Sequence, residues 1–306
     1  EWVHTRFRHG WNRETPAKNA LEILAAAEQG SDFTCGYYAL VLMQCLLSLG
    51  FVARRVGISK ANTEWMAADE GNIGHSIMEV WSHQYHKWVM LDADLNVHYE
   101  RDGVPFSALE IHQAWVTGVW ESVRQIQGPT GFRMTDQARS GYGVDRHVDD
   151  HHAMMWVFNR HRVGDYYHHV SIPMRNTSHS SNGSVQTVYW VDKQTPPNVI
   201  NRNQPSRGPR TSDVHDLYWS VDQVQINLQA DEEAWAKGEA VLRVALEHSM
   251  PNLKGLKVRL DRGAWEACKP ERTWRLHPGH NEIMAKGVNA FGREGHISRI
   301  SLRYHP

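Results

Sequence analysis

The sequence has few cysteines, no long apolar run and no excess of either charge. Only three cysteines occur among 306 residues, and none forms a Cys-x-x-Cys pair, so neither a disulfide framework nor a thiolate zinc site is expected. No run of about 18 apolar residues is present, which argues against a membrane-spanning helix. Lysine and arginine number 33 against 34 aspartates and glutamates, so no net field favours nucleic acid as a partner.

Prolines and large apolar residues are unevenly distributed, and they divide the chain into two domains of a mixed α+β protein. Residues 192–212 carry four prolines and few large apolar side chains, which is typical of a linker. Residues 1–191 before it combine helical and strand patterns. In residues 213–306 apolar and polar residues alternate in short segments, and this predicts an antiparallel β-sandwich. The clearest segments contain Val224, Leu256 and Ile300.

Two apolar helices and a hairpin are predicted in the first domain. Residues 16–29 have Pro16 near the first turn and end before Gly30, which indicates a helix. Residues 35–49 have apolar side chains at helical spacing and are followed by Gly50, which indicates a second. The predicted strands are 51–56, 75–81 and 87–92, and a third helix is predicted over 107–116.

Cys35 stands at the start of the second predicted helix rather than inside it. Asp32 or Thr34 would cap this helix, and the unpaired N–H groups and dipole of a helix N-terminus favour a thiolate over a thiol. The sulfur would then be a nucleophile. A nucleophile of this kind also needs a base and a group that orients the base.

The hairpin that follows supplies both groups in one register. With Trp81 and His86 as the last pair before a short turn, His75 lies opposite Asp92 on the same face. Such a pair is close enough for an imidazole–carboxylate hydrogen bond, which would fix the tautomer of the base. Asp94 faces the same side one pair further along and is the second candidate.

The order of these motifs resembles the transglutaminase-like branch of the papain-like cysteine hydrolases, over about residues 15–120. The matching features are Cys35 at the start of a helix, "LGFVARRV" at 49–56, "GHSIMEVW" with His75 at the start of a strand, and "KWVMLD" at 87–92. The resemblance implies a transglutaminase-like, papain-like catalytic domain with a His- and aromatic-rich insertion. An immunoglobulin-like sandwich would follow it.

By this resemblance Cys35 is the nucleophile, His75 the general base and acid, and Asp92 the residue that orients His75. The activity implied is that of a cysteine-dependent amide hydrolase or acyltransferase, of the protease, deamidase or glycopeptide amidase type, acting through a thioester without a cofactor. The backbone N–H of Cys35 is the expected oxyanion donor, with Trp11 and Gln29 as unassigned alternatives. A hydrolase with an appended sandwich, opening without methionine, is expected to be processed and secreted or periplasmic.

Histidine, arginine and aromatic residues cluster in the middle of the chain. His147, His151 and His152 resemble a zinc site in spacing, but a further ligand at a recognised spacing is missing, so we assign no metal. The cluster is instead expected to line the substrate site. The residues predicted to bind substrate are Trp81, His152, Trp156, Arg160, Tyr166 and Tyr167. The substrate would be a peptide, a glycopeptide or an acidic polysaccharide.

Two other functions remain open from the sequence. One is a polysaccharide lyase that acts on uronic-acid-containing glycans through histidine and tyrosine acid–base residues. The other is a non-catalytic glycan- or peptide-binding protein in which the triad is a remnant. Sensitivity to thiol blockers distinguishes the cysteine hydrolase from the lyase.

Overall fold

The structure is a computed structural model that describes residues 1–10, 18–59, 74–130, 167, 169–173, 187–193, 209–250 and 252–306. It contains both helices and several sheets, which confirms the mixed α+β class. The chain forms two compact units, which we call the first unit (Glu1–Ser82 with Lys87–Trp219) and the second unit (His83–His86 with Ser220–Pro306). The second unit therefore takes up the chain again at Ser220, a few residues beyond the start expected at 213.

The helices of the first unit follow the apolar patterns of the sequence. They are α1 (Ala20–Glu28), α2 (Cys35–Ser48) and α3 (Ala108–Val116), with shorter turns at Trp120–Ser122 and Val214–Leu217. After α2, Gly50 is left-handed at φ 82°, and the N–H of Phe51 donates to the carbonyl of Leu46 at 3.0 Å, a helix ending that glycine permits. At the start of α3, Ser107 and Glu110 form a reciprocal capping box. None of the helices in the described ranges is long and apolar enough to cross a membrane.

The strands of the first unit form two sheets. The larger is built from β1 (Ala53–Ser59), β2 (Gly74–Ser82), β3 (Lys87–Leu91), β7 (His169–Pro173), β8 (Thr187–Trp190) and β9 (Arg210–Thr211). Their order is β3-β2-β1-β7-β8-β9, and β8 pairs with β9 in parallel. The smaller is built from β4 (Val97–Arg101), β5 (Val104–Pro105) and β6 (Arg124–Gln127) in the order β5-β4-β6. Since β9 lies within 192–212, part of the expected linker belongs to the large sheet.

The hairpin of β2 and β3 pairs in a register different from the expected one. Trp81 pairs with Trp88 and not with His86. His86 has a φ of 49°, a left-handed backbone that belongs to the turn and not to a strand. The pairing is displaced by an even number of residues. Because side chains alternate along a strand with a period of two, His75 and Asp92 still project from the same face.

Two apolar clusters of the first unit lie on opposite faces of the large sheet. Alternate residues of β1 divide between them: Ala53 belongs to the cluster around α2, while Val56 and Ile58 belong to the cluster around α3. Tyr38 and Leu40 of α2 are 1% and 0% exposed. This close packing fixes α2 on the sheet, and it thereby fixes the position of the cysteine with which α2 begins.

The second unit consists of two antiparallel sheets that share one core. Strands β10 (Val224–Ala230), β11 (Val241–His248) and β14 (Glu271–Arg275) form one sheet, in the order β10-β11-β14. Strands β12 (Leu253–Leu260), β13 (Glu266–Cys268), β15 (Gly279–Asn289) and β16 (Ser298–Tyr304) form the other, in the order β13-β12-β15-β16. Val244 and Trp274 of the first sheet pack with Val258 and Ile283 of the second. The sheet-rich, sandwich character predicted from alternation is confirmed.

Candidate active site

Cys35 is the first residue of α2 and is partly exposed. Thr34 before it is the N-cap residue, with an extended backbone at φ −80° and ψ 170°. The first N–H groups of a helix have no carbonyl partner within the helix, and the positive end of the helix dipole lies among them. Cys35 is a free thiol, so its sulfur stands where a helix favours negative charge.

His75 and Asp92 form the buried hydrogen-bonded pair that the sequence predicts. Nε2 of His75 lies 2.7 Å from Oδ2 of Asp92, and the two residues are 8% and 4% exposed. The other oxygen of Asp92, Oδ1, accepts the backbone N–H groups of Asp94 and Leu95, each at 3.0 Å. These two bonds fix the carboxylate just after the end of β3, and the carboxylate in turn fixes the imidazole.

The thiol of Cys35 is hydrogen-bonded to the imidazole of His75. Since Nε2 of His75 is engaged with Asp92, Nδ1 is the nitrogen available to the sulfur. Burial raises the pKa of the Cys35 thiol, but the charge of His75 and its hydrogen bond outweigh burial and hold that pKa below its usual value. Burial lowers the pKa of His75, but Asp92 and Cys35 hold it well above its usual value. Both shifts favour a thiolate–imidazolium ion pair.

A second buried histidine–aspartate pair, His9 with Asp94, lies beside the first. Nδ1 of His9 is 2.9 Å from Oδ1 and 2.8 Å from Oδ2 of Asp94. Burial lowers the pKa of His9, but the carboxylate of Asp94 and then the sulfur of Cys35 raise it above its usual value. The charges of this pair act on Cys35 in opposite directions: Asp94 raises the pKa of the thiol, and His9 lowers it. Two imidazoles, each held by a carboxylate, therefore act on one sulfur.

The N-terminal segment brings His9 to this site by pairing with the residues just before α2. The N–H of Phe33 donates to the carbonyl of Arg8 at 3.2 Å, and the N–H of Gly10 donates to the carbonyl of Phe33 at 3.1 Å. Gly10 permits this approach, because a Cβ there would lie 1.9 Å from Oδ2 of Asp32. His9 was not expected at the site, since no motif marks it and its partner lies 85 residues away.

The same groups are able to hold a metal ion. Sγ of Cys35, a ring nitrogen of His75 and a carboxylate oxygen of Asp94 lie within 4.8 Å of one another. Thiolate, imidazole and carboxylate are ligands that Zn²⁺ accepts, and zinc enzymes use three protein ligands with an open fourth position. An ion bound here would occupy the nucleophile and its base, so it would compete with thiol chemistry.

Two residues predicted to bind substrate are core side chains. Trp81 and Tyr167 are each 2% exposed. The ring of Trp81 meets that of Trp88 edge-on at 5.8 Å, and the hydroxyl of Tyr167 donates to Sδ of Met90 at 3.7 Å. Packing against apolar neighbours thus replaces the expected substrate contact. The other predicted residues, His152, Trp156, Arg160 and Tyr166, lie outside the described residues, as do His147, His151 and Trp11.

Gln29, one of the unassigned oxyanion candidates, is the C-cap residue of α1 and is exposed.

Comparison with known proteins assigns no family. No protein-family model matches the chain, and no curated protein is similar enough in sequence to count as a relative.

Proposed function

We propose that the protein is a cysteine-dependent amide hydrolase or acyltransferase, of the protease, deamidase or glycopeptide amidase type. In this proposal the first unit is a transglutaminase-like catalytic domain and the second an immunoglobulin-like sandwich. The observation that carries the proposal is the hydrogen-bonded chain from Cys35 through His75 to Asp92 at the N-terminus of α2. An incidental surface pair would have neither the burial nor a nucleophile within hydrogen-bonding reach of its imidazole.

Acylation begins with attack of the Cys35 thiolate on the carbonyl carbon of an amide. As the S–C bond forms, the π electrons of the carbonyl move onto its oxygen. In this proposal backbone N–H groups at the start of α2, with that of Cys35 among them, bind this oxyanion. Collapse of the intermediate breaks the C–N bond while Nδ1 of His75 gives its proton to the leaving amine. The product is a thioester on Cys35.

Deacylation reverses these roles with a second nucleophile. Neutral His75 takes a proton from water or from an acceptor amine, which attacks the thioester carbonyl, and the thiolate leaves. Water gives a carboxylic acid and an amine gives a new amide. Asp92 keeps Nε2 of His75 protonated throughout, so Nδ1 is the nitrogen that exchanges the proton. The cycle ends with the same ion pair with which it began.

The proposal is tested by alkylation and by a substrate panel. Iodoacetamide is expected to label Cys35 faster than Cys45 or Cys268, since burial raises the pKa of both other thiols. Cys35→Ala should abolish turnover of any amide found among peptides and glycopeptides, while Cys45→Ala should keep it. Full activity in Cys35→Ala would refute the proposal. Acidic polysaccharides belong in the same panel, because cleavage with an unsaturated uronate product, insensitive to thiol blockers, would establish the lyase instead.

A further inference from the structure

Two neighbouring arginines of β1, Arg54 and Arg55, have very different surroundings. The Arg54 guanidinium is buried, and its Nε and Nη2 donate to Oε2 of Glu79 at 2.9 and 2.7 Å. Its Nη1 donates to the carbonyl of Leu217, and its guanidinium lies 3.9 Å from the ring centroid of Trp88. All three nitrogens therefore donate, and the charge is balanced by a buried carboxylate. These contacts account for the burial of Arg54 by a structural role.

Arg55 is not satisfied in this way. Within the described ranges, its Nε is buried without a hydrogen-bond partner, and its Nη2 makes only a long contact of 3.5 Å with Oγ of Ser76. Among the described residues no carboxylate lies within 4.0 Å of this guanidinium to form an ion pair. A half-buried charge with an unused donor is unfavourable, so its presence calls for an explanation.

The position of Arg55 supplies one. Side chains alternate along β1, so Arg55 projects from the same face as Ala53, towards α2, while Arg54 projects from the other face. Its contact residue Ser76 pairs with Gly57 and projects from this same face, and Cys35 is the first residue of α2. Burial lowers the pKa of Arg55 and the sulfur of Cys35 raises it, so the guanidinium lies in the field of the nucleophile. The unused donor therefore lies on the face of the sheet that carries α2 and its first residue, Cys35.

We propose that Arg55 binds a carboxylate of the substrate next to the acyl group that Cys35 attacks. The substrate would then be an amide that carries negative charge on its acyl side. A guanidinium suits this role, because its fork of N–H donors matches the two oxygens of a carboxylate and its charge does not depend on pH in the working range. This inference deepens the proposed function and rests on it for the identity of the reacting sulfur.

The test uses two alkylating reagents of nearly equal shape, iodoacetate and iodoacetamide, with Cys35 as the target and no amide substrate present. Rates are measured at low ionic strength by mass spectrometry of the Cys35 peptide. The ratio of the iodoacetate rate to the iodoacetamide rate is expected to fall about tenfold in Arg55→Gln, the size of effect typical of a hydrogen bond to a charged group. In Arg55→Lys this ratio should fall less, because lysine keeps the positive charge but lacks the paired N–H donors of the guanidinium.

Arg124→Gln is the matched control, since Arg124 is an exposed arginine of the same unit paired with Glu100, and it should leave the ratio unchanged. If Arg55→Gln slows both reagents equally, Arg55 only supports the thiolate and the carboxylate site is rejected. An unchanged ratio rejects it as well. Circular dichroism and the labelling rate of Cys45 show whether each variant is folded, and Arg55→Lys gives the answer if Arg55→Gln is not.

A protection experiment identifies which kind of carboxylate the site binds. Glutarate resembles an acidic peptide side chain, and glucuronate resembles a uronic acid. Each is added before iodoacetamide, and the slowing of Cys35 labelling is measured. Protection by either that is lost in Arg55→Gln supports the site and names the source, while protection by neither counts against it. These measurements need no turnover, so they test the carboxylate site independently of any amide substrate. Conversely, an amide hydrolase with an unchanged ratio keeps the proposed function and loses only this site.

Discussion

The two units of the chain differ in how many ionisable side chains they bury. The core of the second unit is formed by branched aliphatic residues around Trp274, which is 1% exposed. The first unit has apolar clusters of similar kind, but it also buries many ionisable groups: His4, His9, Arg54, His75, Glu79, Asp92, Asp94 and His112. Buried ionisable side chains are costly unless they are paired. Among the described residues the second unit buries only Asp222 and Lys286 of this kind, so most of the buried ionisable side chains lie in the first unit.

Pairing in the first unit falls into two classes. Arg54 with Glu79 forms a buried pair whose contacts are with other parts of the fold, and it braces the sheet. His75 with Asp92 has a thiol within hydrogen-bonding reach, so a reactive group stands at one end of the pair. A pair that ends on a nucleophile can move a proton, whereas a pair closed on all sides cannot.

The largest effect is expected for Asp92→Asn. An amide in place of the carboxylate removes the charge that raises the pKa of His75 and no longer holds Nε2 as a donor. Turnover of an amide substrate should fall by about 10² to 10⁴, the usual contribution of general acid–base catalysis, and iodoacetamide should label Cys35 more slowly at pH 7. Asp102→Asn is the control: it lies in an exposed turn at φ 52°, a conformation that asparagine accepts. Equal rates in both variants would contradict a role for Asp92.

Trp274→Ala is expected to have the opposite effect from Asp92→Asn: the protein loses stability, but Cys35 keeps its reactivity. Removing a fully buried tryptophan from the core shared by both sheets should lower the free energy of unfolding by about 3–5 kcal/mol, measured by urea titration. The labelling rate of Cys35 without urea should not change, because Cys35, His75 and Asp92 all belong to the first unit. Phe291→Ala, at a side chain 51% exposed, should change the stability little. A slower reaction of Cys35 in Trp274→Ala would show that the contrast between the units is too simple.

Local patterns made much of this arrangement predictable from the sequence, and long-range contacts did not. The period of two in strands was enough to put His75 and Asp92 on one face, even though Trp81 pairs two residues further along than expected, with Trp88 and not His86. The left-handed backbone of His86 that sets this register leaves no mark in the sequence. Arg54 and Arg55 are the same residue type side by side, and only the sheet shows which of them is paired.

The roles of the two histidines beside Cys35 make the finest comparison and the smallest expected effect. In His9→Gln an amide N–H can still donate to Asp94, but the positive charge that lowers the pKa of Cys35 is gone, while the carboxylate that raises it remains. The thiol pKa should therefore rise, so the pH profile of iodoacetamide labelling at Cys35 should move to higher pH. At pH 7 the rate should fall by less than about tenfold, since His75 still makes the direct hydrogen bond. His4→Gln is the control, because His4 bonds to the backbone carbonyls of Ala93 and Asp94, and its profile should stay in place. A profile that stays in place or moves to lower pH in His9→Gln would contradict an effect of the His9 charge on the sulfur.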